Sequence, residues 1–348
     1  MSQVARLSAE ERQEIFTETG VRLGIHPFHI EKDYWVCWTL ARLFTANAIA
    51  PHIAFRGGTS LSKGWGLIQR FSEDIDLAMS RDWSVSGRRL EVPEVGASSS
   101  AHERYMKALR RQCREVVREV IAPYLTESLA SVVPDADGRI VIEDIDHARD
   151  PFIVLVRYPE TGLVPPSDYF KASVKIEWSG RADGMPMAVR TIEPYVGKEF
   201  PSIEPPGRQN EVTCVQPSRT FWEKIALIHE YNTRPERKEP GERYSRHFYD
   251  LHRLWNDGNV GSEIIEHMPM FDQVMQHRAS FFSYKWLDHR SLSPRDMQLI
   301  PADSELGYWE NDYRKMESMF FSEMPPLESL LSTLRQIETE LRKLDADI

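Results

Sequence analysis

The chain of 348 residues carries a formal net charge of −10, with 41% hydrophobic and 10% aromatic residues. This composition indicates a folded globular protein and argues against an intrinsically disordered one. No apolar run reaches the roughly 20 residues that cross a bilayer, and the polar N-terminus is unlike a signal peptide, so we expect a cytoplasmic protein without a membrane segment. The three widely spaced cysteines argue against a disulfide framework or a cysteine zinc site.

Two helices are predicted at the start of the chain. The first lies within residues 1–20 with Ser8 as its N-cap, and the second covers residues 27–44. The charged triplet Glu31-Lys32-Asp33 falls near the start of the second helix. We interpret this triplet as a solvated turn with local salt bridges.

The most informative stretch begins with two glycines and two hydroxyl residues. Gly57 and Gly58 allow the backbone to approach a phosphate closely and to expose its N–H groups. Thr59 or Ser60 can add a hydroxyl donor, and a helix that starts near Ser60 adds a favourable partial charge. We therefore predict a phosphate-binding turn, with Lys63 as a further phosphate contact. A plain turn is the alternative.

An Asp-x-Asp pair follows this turn. Asp74 and Asp76 fall on a predicted strand, 74–79, and so point to the same face. Two carboxylates this close repel each other unless a cation bridges them, which predicts bound Mg²⁺ or Mn²⁺. Glu177 is the candidate third carboxylate, with a cross-strand salt bridge as its alternative interpretation. A near copy of the pair at 143–146 lacks the preceding glycines and is interpreted as a polar strand end.

A phosphate-binding turn followed by a metal-binding pair predicts two-metal nucleotidyl transfer. One ion, bridged by Asp74 and Asp76, would hold the triphosphate of an NTP, and the other would activate an attacking hydroxyl. Lys224, in an otherwise apolar predicted helix, is a second candidate phosphate contact. The turn matches neither the P-loop pattern nor the dinucleotide-binding pattern.

A long helix is predicted over residues 101–121, with an apolar stripe on one side. The stripe comprises Met106, Leu109, Cys113, Val116 and Val120. Basic residues with the same spacing occupy roughly the opposite face. This basic row comprises Arg104, Lys107, Arg111, Arg114 and Arg118. The row is either a solvated outer face or a surface that binds the phosphate backbone of RNA.

The chain is predicted to divide near residue 215. Predicted strands begin near residues 52, 74, 139, 152, 172 and 187. Residues 194–217 are rich in Pro, Gly and polar side chains, which is typical of a boundary, and the chain beyond them is helical. We therefore expect an α/β domain over residues 1–215 and a helical domain over residues 216–348.

Several motifs in the chain resemble those of one known family. GGTSLSK and RFSEDIDLAM resemble the first motif of the AbiEii/AbiGii-type (MenT-like) nucleotidyltransferase toxins, within the DNA polymerase β-like superfamily. The segments IEKDYWV, FWEKIALIH, RHFYDLHRL and YRKMESMF are also similar to this family. The resemblance implies an α+β fold: a mixed sheet flanked by helices, with a helical C-terminal domain that contributes to the active site.

The resemblance also implies roles for individual residues. Ser60 matches the phosphate-binding serine of the family, and Asp74 and Asp76 match its metal-binding pair. Lys224 matches the helix lysine near the nucleotide phosphates, and Asp250 matches the acidic residue of the last motif. The residues before Asp250 are aromatic here, where many relatives have a basic neighbour. Glu177 is not covered by the resemblance.

The family implies a toxin that is paired with a separate AbiEi-type antitoxin, in a type IV-like toxin–antitoxin or abortive-infection system. It also implies transfer of NMP from an NTP to RNA, in some members to the 3′ end of tRNA. The alternatives are a protein or small-molecule acceptor and a catalytically inactive nucleotide-binding protein. The intact Ser60, Asp74 and Asp76 argue against inactivity. A nucleotide-sugar transferase would not explain the glycine turn.

Overall fold

The fold divides into two compact units. The first comprises Met1–Trp65 and Phe71–Val215, and the second comprises Gly66–Arg70 and Gln216–Ile348. A computed structural model describes residues 3–87, 89–93, 98–133, 139–143, 152–205, 207, 210–235, 241–266, 269–282 and 284–344.

A seven-stranded mixed sheet forms the centre of the first unit, with the order β3-β4-β5-β2-β1-β7-β6. The strands are β1 (Ile53–Arg56), β2 (Ile75–Met79), β3 (Ile140–Glu143), β4 (Phe152–Val156), β5 (Val174–Ser179), β6 (Met187–Thr191) and β7 (Glu211–Val215). Strand β1 runs parallel to β7, and β2 runs parallel to β5, whereas the other neighbours are antiparallel. The predicted α+β fold is confirmed.

Strand β7 lies within residues 194–217, where the sequence pattern predicts a boundary and indicates no strand. It lies between β1 and β6, with Phe55 of β1 paired with Cys214. Its inward side chains, Val212 and Cys214, are buried. Prolines and glycines flank this five-residue strand, and its partner β1 is distant along the chain. No local sequence pattern therefore indicates the strand.

Helices surround the sheet of the first unit. They are α1 (Ala9–Leu23), α2 (Pro27–Thr45), α3 (Gly57–Lys63), α4 (Ser99–Val116), α5 (Ala122–Ala130) and α6 (Tyr195–Glu199). The predicted N-cap of α1 is confirmed, since the Ser8 hydroxyl accepts a hydrogen bond from the Glu11 amide and the Glu11 carboxylate accepts one from the Ser8 amide. Helix α2 is buried on nearly all sides, and Trp35 and Trp38 are fully enclosed.

A π-helical turn, Val117–Ile121, follows α4 and shifts the predicted apolar stripe. The first four stripe residues are buried as predicted, but Val120 is partly exposed. Val117 and Ile121 are buried instead. The wider π turn accommodates more residues per turn than an α-helix, so the inward positions move along the sequence.

The second unit is helical in its described residues. Its α-helices are α7 (Pro217–Thr233), α8 (Arg246–Asn256), α9 (Gly258–Glu266), α10 (Pro269–Phe281), α11 (Leu306–Arg314) and α12 (Leu327–Leu344). Helix α7 packs against α8, α9 and α10, and the apolar stripe of α12 packs against α8. Among the described residues of both units, no helix is long and apolar enough to cross a membrane.

Candidate active site

The glycine turn at Gly57 packs directly against Asp76, one of the predicted metal ligands. Helix α3 begins at Gly57, earlier than the predicted start near Ser60. Gly57 has a φ of +77°, and a Cβ atom at this position would lie 2.1 Å from Oδ2 of Asp76. Glycine is therefore required both for the backbone conformation and for the space. The turn brings exposed backbone and a carboxylate into contact.

The hydroxyl groups of this turn hold the local structure together. The buried Thr59 hydroxyl donates to the carbonyl oxygen of Asp74 at 2.5 Å and lies 2.9 Å from the Ser72 hydroxyl. The buried Ser60 hydroxyl donates to the carbonyl oxygen of Gly57 at 3.0 Å. These bonds fix the turn to the residue that precedes β2. In this structure the two hydroxyls are engaged within the protein, and Gly58 lies partly exposed beside them.

Three predicted metal ligands lie on the same face of two neighbouring strands. Asp74 immediately precedes β2, and Asp76 on β2 pairs in register with Glu177 on β5. The intervening Ile75 and Ile176 are fully buried on the opposite face. The side chains of Asp74 and Glu177 are 29% and 25% exposed, so solvent ions can reach them. We call Asp74, Asp76 and Glu177 the carboxylate face.

Lys175 lies within the carboxylate face. Its Nζ is 2.5 Å from Oε1 of Glu177 and 3.6 Å from Oδ2 of Asp74. Burial acts to lower the lysine pKa, but the charges of Asp74, Glu177 and Asp76 outweigh burial and raise that pKa. Lys175 is thus a fixed cation among these carboxylates. The alternation of side chains along a strand predicts that Lys175 and Glu177 share a face, but not that the lysine reaches Asp74.

The carboxylate face has the donor chemistry for a hard divalent cation. Carboxylate oxygens are the ligands that Mg²⁺ and Mn²⁺ prefer. Within the described residues, however, no group of three or more His, Cys, Asp or Glu side chains is gathered at metal-binding spacing. The Lys175 ammonium instead lies between Glu177 and Asp74. The residues fit the ion, and a lysine neutralises part of their charge in this structure.

The triplet Glu31-Lys32-Asp33 is buried, so its interpretation as a solvated turn is wrong. Glu31 accepts a hydrogen bond from the Thr161 amide at 2.9 Å. Lys32 forms an ion pair with Glu73, the neighbour of Asp74, and also donates to a backbone carbonyl. A signal for burial is present in the sequence, because residues 34–41 after the triplet are apolar around two full turns except for Thr39, which is typical of an enclosed helix.

Lys63 does not occupy the position expected of a phosphate contact. Its Nζ is 2.7 Å from Oδ1 of Asp33, and both side chains are less than 10% exposed. The ammonium also lies 4.0 Å from the ring centroid of Tyr195. The charge of Lys63 is thus used inside the protein, where it ties the end of α3 to α2. The same Asp33 accepts a hydrogen bond from the Tyr195 amide at 2.9 Å.

A second buried cluster, in the helical unit, contains the other two predicted catalytic residues. Nζ of Lys224 lies 2.9 Å from Oδ2 of Asp250 and 3.2 Å from Nδ1 of His247. Arg70 forms a two-pronged bond with Asp250, with both N–O distances 2.9 Å. Lys224, Asp250, Arg70 and His247 are all less than 10% exposed. Sequence reasoning assigned no role to Arg70 or His247.

The protonation of this cluster follows from its burial and its charges. Burial lowers the pKa of Lys224, which the Asp250 charge partly opposes. For Asp250, burial acts to raise the pKa, but Arg70 and Lys224 outweigh it and hold the carboxyl ionised. Burial and the neighbouring Lys224 lower the pKa of His247 well below its usual range. A neutral His247 can therefore accept a hydrogen bond from the Lys224 ammonium.

The basic row of α4 is only partly available to a partner. Arg104, Lys107 and Arg111 are exposed, although Arg111 pairs with Glu115 at 2.8 Å. Arg114 is partly buried, with its guanidinium 5.2 Å from the ring centroid of Phe152. Arg118 is exposed but lies on the π-helical turn. The near copy of the aspartate pair falls largely outside the described residues, so its interpretation stays a prediction.

Comparison with known proteins identifies the family. The family described as "nucleotidyl transferase AbiEii toxin, Type IV TA system" matches residues 38–338. No curated protein matches in the corresponding search. Among solved structures, the chain is similar to MenT4, a nucleotidyltransferase toxin from Mycobacterium tuberculosis H37Rv, with 14% identity, 97% of this chain and 99% of that chain covered, and a TM-score of 0.41. The family match covers most of the chain, which therefore belongs to the AbiEii nucleotidyltransferase toxins of type IV toxin–antitoxin systems.

Proposed function

We propose that this toxin transfers NMP from an NTP to RNA in a reaction that depends on Mg²⁺ or Mn²⁺, with the 3′ end of tRNA as the preferred acceptor. Nucleotidyl transfer follows from the family. The observation that best supports an NTP site is the contact between the Gly57 turn and Asp76. It combines backbone that a phosphate can approach with a carboxylate that can bind the accompanying cation.

The carboxylate face and the glycine turn have complementary tasks in this proposal. Asp74, Asp76 and Glu177 would hold the divalent cations, and the backbone of Gly57 and Gly58 would face the phosphates. Bound cations of this kind would neutralise charge on the α-phosphate under attack and on the pyrophosphate that leaves, and would lower the pKa of the attacking hydroxyl. The partial exposure of Asp74 and Glu177 favours exchange of these ions with solvent.

Lys224 is proposed to stabilise phosphate charge, as the family resemblance implies. Burial lowers the pKa of Lys224, and the ion pair with Asp250 opposes this effect and favours the charged ammonium. Asp250 and His247 would orient the ammonium through their contacts with it. Arg70 would keep Asp250 ionised and fixed.

An RNA acceptor requires a local basic surface, since the net charge of −10 would repel RNA overall. Arg104, Lys107 and Arg111 supply exposed charges on α4 that fit this role. A type IV toxin also implies a separate antitoxin. We propose an AbiEi-type antitoxin and action in the cytoplasm, where NTPs and tRNA are found.

Labelled transfer tests the proposal. The protein is incubated with each α-labelled NTP, Mg²⁺ or Mn²⁺, and total bacterial RNA and protein, with Asp74→Ala as the control. Label on tRNA that depends on Asp74 and on the added cation is the expected result. Label on protein would replace RNA as the acceptor. The absence of Asp74-dependent label with every NTP would contradict the proposal.

A further inference from the structure

Lys175 is positioned to compete with a divalent cation for the carboxylate face. Lys175 and Glu177 are two residues apart on β5 and therefore share a face, and the neighbouring β2 runs parallel in register. The ammonium contacts Glu177 at 2.5 Å and Asp74 at 3.6 Å. A cation that used oxygens from both carboxylates would have to share the space between them with this ammonium.

The charge balance of the face favours such an exchange. The two carboxylates that Lys175 contacts, Asp74 and Glu177, carry two negative charges against the single positive charge of the ammonium. The lysine therefore reduces the repulsion among the carboxylates but does not cancel it. A divalent cation in place of the ammonium would neutralise the same carboxylates more completely.

The exposure of Lys175 distinguishes it from the other lysines near the site. Its side chain is 34% exposed, whereas those of Lys32 and Lys63 are 3% and 7% exposed in their ion pairs. The buried lysines cannot leave their carboxylates without stranding a charge away from water. Because Lys175 is partly exposed, its flexible stem can move the ammonium from the carboxylates to water without burying an unpaired lysine charge.

We propose that Lys175 is a built-in counter-ion of the carboxylate face. Its ammonium holds the carboxylates together when no metal is bound, and it moves away from them when a divalent cation binds. This inference rests on the proposed metal-dependent function. It gives Lys175 a positioning role, in which the lysine sets the affinity of the face for the cation. A permanent structural salt bridge would act differently, because its loss would loosen the carboxylates and weaken cation binding.

Titration of the full-length protein with Mn²⁺, followed by electron paramagnetic resonance of the free ion, tests this role. No nucleotide or RNA is present. Lys175→Met removes the charge and retains most of the stem, and we expect it to bind Mn²⁺ about tenfold more tightly than the wild type. Lys175→Arg retains the charge and is expected to bind within about twofold of the wild type. Lys343→Met removes an exposed lysine of α12 and serves as the matched control with unchanged affinity.

Thermal unfolding provides a second readout. In EDTA, Lys175→Met is expected to unfold at a lower temperature than the wild type, and Mn²⁺ is expected to stabilise the variant more than the wild type. If Lys175→Met does not fold, Lys175→Gln replaces it. A neutral variant that is folded but binds Mn²⁺ equally or more weakly than the wild type overturns the proposal.

The Mn²⁺ titration separates this inference from the proposed reaction. If no label is transferred to RNA but Lys175→Met binds Mn²⁺ more tightly, the acceptor assignment fails and the role of Lys175 stands. If label is transferred and the variant shows no gain in affinity, the reaction stands and the role of Lys175 fails. Asp76→Asn should reduce Mn²⁺ binding in either case, which confirms that the titration reports on the carboxylate face.

Discussion

Gly57 cannot be replaced by a residue with even one more side-chain atom without disturbing Asp76. Its φ is +77°, and only 2.1 Å would separate an alanine Cβ atom from Oδ2 of Asp76, which leaves no room for that side chain. Gly57→Ala is expected to lose about 1–3 kcal/mol of unfolding free energy from backbone strain. Displacement of Asp76 should also abolish nucleotidyl transfer. Urea unfolding and the labelled-transfer assay measure the two effects.

Gly162 offers a matched control for this substitution. Its φ is +81°, but a Cβ atom there would meet nothing within 4 Å. Gly162→Ala should therefore have a similar cost in stability from strain while the transfer activity remains. Equal loss of activity in the two variants would show that strain, and not the contact with Asp76, is responsible.

Glu31 predicts a specific dependence of stability on pH. Burial raises its pKa to about 7, an effect that the hydrogen bond from Thr161 and the charge of Arg12 only partly oppose. Between its usual pKa of 4.5 and about 7, the folded state binds a proton that the unfolded state has released. The unfolding free energy should therefore fall by about 3 kcal/mol as the pH rises through this window, and then level off.

Glu31→Gln isolates this contribution. The variant can still accept a hydrogen bond but cannot ionise, so its stability should fall less between pH 4.5 and 8. Urea unfolding at several pH values gives the difference in slope. Glu18→Gln, which alters an exposed helix pair, is the control and should follow the wild type. An unchanged slope in Glu31→Gln would assign the pH dependence to another group.

The alternation of side chains along a strand predicts that Asp74 and Asp76 share a face, because that inference needs only the geometry of the strand. It could not predict the pairs Asp33–Lys63 and Lys32–Glu73, whose members are far apart along the chain. The sequence alone therefore predicts a phosphate contact for Lys63, whereas in the structure its charge is paired with Asp33. Charged residues predict chemistry reliably only when their partners are known.

At the scale of elements, alternation and helical periodicity placed most strands and helices, but two features escaped them. Strand β7 depends on pairing with β1, which no local pattern reports. The π-helical turn after α4 changes the spacing of inward residues within a single helix. Both features arise from tertiary packing that overrides a local signal.

The basic row on α4 yields a test of RNA binding. Lys107→Glu with Arg111→Glu reverses two exposed charges, whereas Arg114 is unsuitable because it packs over Phe152. We expect RNA binding to weaken by about tenfold or more at moderate salt, with nucleotide binding unchanged, because the lost contacts are to phosphates. Filter binding of tRNA and equilibrium binding of NTP measure the two effects.

Helix α12 supplies the control for this reversal. Arg335 and Lys343 are also exposed basic residues on a helix, and Arg335→Glu with Lys343→Glu changes the net charge equally. If RNA binding falls equally in both double variants, the effect reflects overall charge. A selective loss in the α4 variant assigns the RNA surface to that helix.

At the scale of the whole molecule, residues 66–70 belong to the helical unit. Along the chain, however, they lie between α3 and β2, which belong to the first unit. The Gln69 amide donates to the Tyr249 hydroxyl at 3.2 Å, and Arg253 donates to the carbonyl oxygen of Leu67 at 3.2 Å. Arg70 adds its two-pronged bond to Asp250. Composition indicated a boundary near residue 215 but could not reveal this inserted segment.

Arg70→Met tests how strongly the helical unit depends on this segment. The change removes one of two cations that compensate the fully buried Asp250, so we expect a loss of about 3 kcal/mol in unfolding free energy. Arg253→Met removes a partly exposed side chain with a single described bond to the segment and should cost less than about 1 kcal/mol. Urea unfolding compares the variants, and equal losses would contradict a special role for Arg70.

The inserted segment makes the protein suitable for division into two chains. A break between residues 215 and 216 leaves residues 66–70 on the N-terminal piece, while the side chains that bind them stay on the C-terminal piece. The two pieces, produced together, are expected to co-purify, and Arg70→Met should weaken their association. Under this scheme the toxin is assembled only where both halves are produced together.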